Sequence, residues 1–321
     1  MNGSMEVAMY KRMLLAALGI GLIATPANAE WKPKGPIKLW IGFGAGGGTD
    51  SQGRALAEEI EKRRGWRIIP ENKAGAGGAV MAAQLKNEPA DGQTIGFAIT
   101  STVDFASITN DSISIDDFTY ITTTAGSQMG IIVRKDSGWK TLDDVVAAAK
   151  SGTKIVWANW GSKTEAASEA VAKKFGITVN HLRSKGGKGT MDALVAKDAN
   201  VAWSGGAHRP LVAAGELVIV ASGEAKPLAQ APNGKTLVDH GMDLVLGHQF
   251  LIMGPKGMPA EAAKAIAAAV SEVLSDPDQK VTQYIVKRYP PGPVLVSGDK
   301  LTEQIKATLA ANRKMLADLK K

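Results

Sequence analysis

Ile37 to Asp50 reads I-K-L-W-I-G-F-G-A-G-G-G-T-D, and how it is interpreted decides the fold. Strand formers (Ile37, Leu39, Trp40, Ile41), interrupted only by Lys38, run into Gly42, Gly44, Gly46, Gly47 and Gly48. Thr49 and Asp50 follow, and the helical pattern A-L-A-E-E-I-E-K-R-R begins soon after. This is a strand, a glycine turn and a helix start. Glycine lets the backbone bend and lets a ligand approach main-chain N–H groups with no Cβ in the way. The first-turn amides of a helix have no intrahelical acceptor, and the macrodipole places partial positive charge there, so such a turn attracts anions. The stretch Ile68 to Met81, I-I-P-E-N-K-A-G-A-G-G-A-V-M, repeats the device. Two anion-receiving loops lying close together in sequence are the centre of the reading.

The first 29 residues are set apart. Lys11 and Arg12 form a basic start, residues 13–23 an apolar core, and Ala27-Asn28-Ala29 an A-x-A cleavage site, the three parts of a secretory signal in order. The apolar core is shorter than the roughly 20 residues a spanning helix needs. The mature chain is therefore expected to start at Glu30 and to be exported to the periplasm. With Lys11, Arg12 and Glu6 removed, the net charge of +7 becomes +6. The basic residues are scattered without interleaved aromatics, which favours small anionic ligands and argues against nucleic acid. The absence of cysteine excludes disulfides and thiolate metal sites.

Read in order, helices are expected over 50–64 and 79–86, and strands over 66–69 and 94–100. The third strand opens into Ser101 and Thr102. A strand over 131–134 and a capped helix over 145–150 follow, and then the pattern restarts. Strand 154–158 leads to the turn Asn159-Trp160-Gly161-Ser162 and a helix over 163–175. Strand 177–182 leads to the glycine-rich turn 185–189 and a helix over 190–196. Further strands are expected over 201–203, 217–221, 250–253 and 294–296, with a helical tail over 259–274, 278–288 and 301–319. Strands alternating with helices indicate parallel α/β sheets, and two successive sets indicate two similar lobes. Ligands of such sheets collect beyond the carboxyl ends of the strands, where these loops lie.

At this level of detail the chain resembles a known family, the TctC or Bug extracytoplasmic solute receptors of tripartite tricarboxylate transporters. The residues that carry the resemblance are G-F-G-A-G-G-G-T-D (Gly42 to Asp50), E-N-K-A-G-A-G-G (Glu71 to Gly78), A-D-G-Q-T-I (Ala90 to Ile95) and D-D-F-T-Y-I (Asp116 to Ile121). R-K-D-S-G-W-K-T-L-D-D (Arg134 to Asp144), G-P-K-G-M-P (Gly254 to Pro259) and the helical ending complete the set, in the family's order. The resemblance implies an α/β, two-lobed, type II periplasmic-binding-protein fold, each lobe a mostly parallel sheet flanked by helices, with a hinge of crossing strands. It divides the chain into a cleaved signal (1–29), lobe 1 (30–130), lobe 2 (131–252) and a return to lobe 1 (253–321).

It also implies a function: capture of a small carboxylate, foremost a dicarboxylate, and delivery to the membrane permease subunits of such a transporter by a monomeric receptor without enzymatic activity or cofactor. The family's carboxylate-holding loops map onto Phe43, Gly44, Ala45, Gly46, Gly47, Thr49 and Asp50, and onto Ala76, Gly77 and Gly78; a hydroxyl-bearing loop maps onto Ser101 and Thr102. From the second lobe, Asn159, Trp160, Gly161, Ser162, Lys163, Thr164, Lys185 and Gly186 are expected to close on the distal end of the ligand. The chain departs from the family pattern at Gly42 and Gly44, where prolines are usual, at Ala74, at Glu165 in place of a histidine, and at Ser184 in place of a tyrosine.

Rival readings are weaker. Gly42-x-Gly44-x-x-Gly47 satisfies the dinucleotide fingerprint, and Glu71 stands near the end of the second strand, where a ribose-binding acid belongs. A Rossmann-type NAD(P)-dependent oxidoreductase is thus the alternative, disfavoured by the second anion loop directly after Glu71 and by export. His181, His208, His240 and His248 form no close metal-binding pair, Ser162 lacks the glycines of a nucleophile elbow, and Lys188 is not followed directly by Ser or Thr as a phosphate loop requires. Asp50 reads equally as a helix cap or a ligand contact.

Overall fold

The computed structural model describes residues 31–320, so the expected signal segment lies outside the described residues. Two five-stranded sheets organise the chain. The first has the order β2-β1-β3-β10-β4, formed by β1 (Ile37–Ile41), β2 (Ile68–Asn72), β3 (Thr94–Ile99), β4 (Phe118–Ser127) and β10 (His248–Pro255). The second has the order β7-β6-β8-β5-β9, formed by β5 (Gly130–Arg134), β6 (Ile155–Asn159), β7 (Val179–Arg183), β8 (Val201–Ser204) and β9 (Leu217–Ser222). Their logic is the same. In the first, β1 pairs in parallel with β2 (Ile41↔Asn72) and β3 (Ile41↔Phe97), while β10 runs against β3 and β4 (Ile252↔Phe97, Ile252↔Thr122). In the second, β6 pairs in parallel with β7 and β8, and β5 runs against β8 and β9. Each sheet is therefore mixed, four strands running one way and one opposed.

The opposed strands are the ones that follow a crossing. Gln128 and Met129 alone separate β4 from β5, so the chain passes between sheets in a single step. After β9 it runs through 223–247 without regular strand or helix and re-enters the first sheet as β10. A strand entering directly from the other sheet has no crossover helix to turn it around, so it pairs antiparallel.

Helices α1 (Gly48–Arg64), α2 (Ala79–Leu85), α3 (Ser101–Asp104) and α4 (Ala106–Thr109) belong to the first sheet. Next come α5 (Leu142–Lys150), α6 (Ser162–Phe175), α7 (Gly187–Val195) and α8 (Arg209–Ala213), then α9 (Ala260–Leu274), α10 (Lys280–Arg288) and α11 (Gly298–Lys320). Leu39, Ile95 and Phe97 of the first sheet bury against Leu56 and Ile60 of α1 and Ile266 and Val270 of α9. Ile132, Ala158, Ala202 and Ile219 of the second bury against Met191 and Leu194 of α7. Trp157 and Trp203, both fully buried, stack with ring centroids 5.4 Å apart.

Several boundaries differ from expectation for clear reasons. Gly65 ends α1 in the left-handed region (φ 67), the Arg67 carbonyl accepts from the Ile37 amide (2.9 Å) as the chain joins β1, and the strand itself starts at Ile68. β4 carries Thr122, Thr123 and Thr124 in its centre and is buried on both faces, so the alternation that marks a half-exposed strand is missing. Its hydroxyls are satisfied internally: Thr123 donates to the Val294 carbonyl (2.6 Å) and Thr124 to Gln52 Oε1 (2.7 Å). The strand expected over 294–296 appears as isolated bridges, Thr122↔Ser297 and Ala125↔Pro293. Ser101 and Thr102 start a short helix rather than an open strand edge.

Candidate functional site

A cavity of about 210 Å³ lies where the carboxyl end of β1 and the start of α1 meet the loops of the second sheet. The first loop supplies one wall through Phe43, Gly44, Ala45, Gly47 and Thr49, together with Gly48. The second lobe supplies Trp160, Lys185 and Gly186, and the crossing strands contribute Ser127, His248 and Phe250. Gly47 is the N-cap of α1, extended and without a side-chain cap, so the amides of Gly48 and Thr49 have neither an intrahelical nor a side-chain acceptor. α1 is a 17-residue helix and carries a full macrodipole.

Asp50 does not face the cavity. Its carboxylate turns back to accept from the Gly46 amide (2.9 Å), Arg54 Nε (2.9 Å) and Asn72 Nδ2 (2.8 Å). Asn72 Nδ2 also donates to the Phe43 carbonyl (3.0 Å), so one buried carboxylate and one amide brace the whole glycine loop. Gly46 is spent in that brace, and it packs against Lys188. The Gly44 amide is occupied too, donating across the lobes to the Lys185 carbonyl (2.9 Å). What the loop leaves open is the helix start itself.

The second glycine loop serves another purpose. Gly75, Ala76, Gly77 and Gly78 all have positive φ (151°, 48°, 66° and 93°), a run of backbone that glycine adopts freely and that carries no side chain larger than the Ala76 methyl. A Cβ at Gly77 would lie 3.2 Å from Gly161 Cα, and one at Gly161 would lie 2.9 Å from Gly77 Cα. The two backbones touch, one from each lobe. The Gly78 amide donates to the Gly75 carbonyl (2.9 Å), and the Gly77 carbonyl accepts from Thr102 Oγ1 (2.7 Å). Gly77, with Ala76 beside it, thus forms a lobe contact that Gly78 and Thr102 support from within the first lobe, and none of the four lines the cavity; Ser101 precedes Thr102 on α3.

The loop after β6 is anchored within its own lobe. Fully buried Asn159 donates to the Trp157 carbonyl (2.9 Å), and its Oδ1 accepts from Ser168 Oγ (3.0 Å), which in turn accepts from Trp203 Nε1 (2.9 Å). Thr164 Oγ1 receives the amides of Trp160 (3.2 Å) and Gly161 (3.3 Å). Ser162 Oγ meets Thr109 Oγ1 of the other lobe at 3.1 Å. Of this loop only Trp160 reaches the cavity, as a nearly buried wall.

Lys163 turns into the lobe junction. It is 8% exposed, in the first turn of α6, among the carboxylates of Asp104 and Glu224 and the imidazole of His248. Burial holds the ammonium below its ordinary range, with Asp104 and Glu224 offsetting part of the effect. Burial likewise pushes the Asp104 carboxyl up to about 6 and that of Glu224 up to about 7. Asp104 accepts from Asn312 Nδ2 (2.9 Å) and Glu224 from the Met129 amide (2.7 Å). His248, lowered to about 3 by burial and then by Lys163, presents a neutral ring to the cavity.

The chemistry of the walls is main-chain amides, an exposed Lys185 ammonium, a neutral imidazole and aromatic surface. Lys188 also lines the cavity, paired with Asp192 at 2.6 Å. Among the described residues no group of His, Asp and Glu is arranged to hold a metal ion. The loop 185–189, expected to close on the ligand, does reach the cavity, whereas sequence reasoning missed Ser127, Gly205, Phe250 and Tyr289. Gly205 had a signal, since G-G follows strand V-A-W-S at 201–204 as it follows other strands here. Tyr289 had none, because it arrives from the far C-terminal segment.

The family model described as "Tripartite tricarboxylate transporter family receptor" matches residues 53–290. A Cupriavidus necator protein, "UPF0065 protein in gbd 5'region", is 30% identical over 269 residues, covering 83% of this chain and 82% of that one. Among solved structures, MatC from Rhodopseudomonas palustris with bound malate superposes with TM-score 0.77 at 19% identity, covering 88% of this chain and 99% of that one. A second R. palustris protein, with adipate, superposes with TM-score 0.76 at 20% identity, covering 89% and 98%. These likenesses support the two-lobed fold, and the family match rests on the sequence itself. The chain belongs to the TctC family of tripartite tricarboxylate transporter receptors.

Proposed function

We propose that this protein is a periplasmic solute receptor that takes one carboxylate of a small organic acid, foremost a dicarboxylate, on the uncapped start of α1. The observation that carries the reading is the pair of free first-turn amides at Gly48 and Thr49, opening into a cavity between two lobes. Charge-assisted bonds from main-chain amides suit a carboxylate, and a water-poor cleft strengthens them. Lys185, on the second lobe, balances a second carboxylate, while Trp160 and Phe250 pack the carbon chain between. Malate and adipate in the cited family-fold structures are acids of this kind. The volume of about 210 Å³ lies below the roughly 300–1,000 Å³ of pockets for larger ligands, which favours a short acid over a dinucleotide.

Capture is followed by hinge closure about the two crossing segments, and the closed, loaded form is handed to the permease subunits of a tripartite transporter; the receptor works as a monomer, without cofactor or catalytic step. A thermal-shift screen of di-, tri-, amino- and aromatic carboxylates tests this. At one hundred times Kd a ligand adds about 2.7 kcal/mol. No response from any carboxylate would defeat the reading.

A further inference from the structure

Tyr289 follows α10 and is 6% exposed, although it lies on the wall of the cavity. Its ring packs edge-on against Phe250, with centroids 4.8 Å apart. Tyr284 packs edge-on against it as well, with centroids 6.1 Å apart, and two glycines, one from each lobe, lie against the ring. A Cβ at Gly48 would overlap the Tyr289 hydroxyl, and a Cβ at Gly206 would lie 2.6 Å from Cε1. The phenol end therefore stands on the first turn of α1, and the ring edge rests on the loop after β8. That loop is held by the next residue back in the chain, since Arg288 Nη1 donates to the Gly206 carbonyl (3.2 Å). Burial first, and then Tyr284 through its charge and a hydrogen bond between the two phenols, raise the Tyr289 pKa well above its ordinary value, so at neutral pH the group keeps its proton. A carboxylate in the cavity is a stronger acceptor for it than the Tyr284 phenol.

We infer that Tyr289 is a specificity-determining residue of the receptor site: its hydroxyl donates to the carboxylate that the Gly48 and Thr49 amides receive. The inference rests on the carboxylate-receptor reading above. A helix start alone offers amides in one direction; a phenol brought in from the side supplies a further donor. Gly48 is the residue that makes room for it, because any side chain there would expel the ring. Through Gly206 the same ring touches the second lobe, so engagement of the carboxylate and lobe closure share one side chain. The Tyr289 and Phe250 rings together also limit the chain length of the acid.

The test compares the wild type with Tyr289→Phe by titration calorimetry, using whichever carboxylate gives the largest thermal shift, alongside urea unfolding without ligand. The expected result is an affinity lower by roughly tenfold or more, as for loss of a hydrogen bond to a charged group, with the unfolding midpoint unchanged. A variant that binds as tightly as the wild type, or more tightly, overturns the role of Tyr289 and leaves the receptor reading standing. Parallel loss of affinity and of stability without ligand also overturns it, by assigning the residue to packing. If the wild type itself binds no carboxylate, both readings fall.

Discussion

Replacing Gly161 by alanine puts a methyl group where two backbones meet, and it does so without straining the chain that carries it. Gly161 has φ −176°, extended backbone open to any residue. The added Cβ would lie 2.9 Å from Gly77 Cα and 3.3 Å from Gly77 N. Carbon atoms prefer about 3.5–4.0 Å, so the lobes must part by about 0.6 Å at this point to relieve the contact. Overpacking of a well-fitted contact costs about 1–3 kcal/mol. Because Gly77 and Gly161 belong to different lobes, the cost falls on the closed form alone, and ligand affinity drops by the same free energy, roughly 5-fold to 150-fold. Calorimetric titration with the best carboxylate measures the drop, and small-angle scattering with and without ligand reports closure. The midpoint of ligand-free unfolding should stay at the wild-type value. Unchanged affinity, or a loss of ligand-free stability as large as the loss of affinity, would refute the assignment of this contact to closure. Gly77 is the poorer position for the experiment: its φ of 66° strains any side chain, so a substitution there disturbs folding as well.

Two further predictions concern buried charge. In the folded protein Glu224 and Asp104 hold their protons more tightly than in the unfolded chain, so their contribution is full at low pH and fades as pH rises through about 7 and about 6. His208 and His248, both pushed down to about 3, act with opposite sign: their contribution is present above the ordinary histidine range and is lost as pH falls. The two pairs oppose each other, so wild-type stability should change little between pH 7 and 4.5. Glu224→Gln, which keeps an acceptor for the Met129 amide, removes one acid; on acidification over that range it should lose about 2–3 kcal/mol more than the wild type in urea unfolding, and parallel profiles would contradict the account. Asp50→Ala deprives the Gly46 amide, Arg54 and Asn72 of their shared acceptor. It should cost about 2 kcal/mol, read as a fall in the ligand-free melting temperature, and an unaltered melting point would mean the brace is idle.

Much of this was open to a reader of the chain alone. The order of strand, glycine turn and helix, repeated in two sets, follows from local preferences and periodicity, and it led to the two-lobed α/β fold. The helix start after Ile41 could be recognised as an anion receiver because its chemistry is carried by neighbouring residues. β4 could not be read in the same way, since Thr122 to Thr124 look like a polar loop until Val294 and Gln52 arrive to satisfy their hydroxyls.

What local sequence could not settle was which loop faces what. Gly46–Gly48 and Gly75–Gly78 are the same signal, because glycine removes a side chain whether a ligand or another backbone is to come close. Only the packing of the lobes distinguishes them: the first run opens on the cavity through Gly48, while the second is closed off by Gly161. Lys163 and Tyr289 make the same point. Their surroundings consist of Asp104, Glu224, Gly48 and Gly206, residues far away along the chain, and a side chain's solvation is set by what folding brings to it.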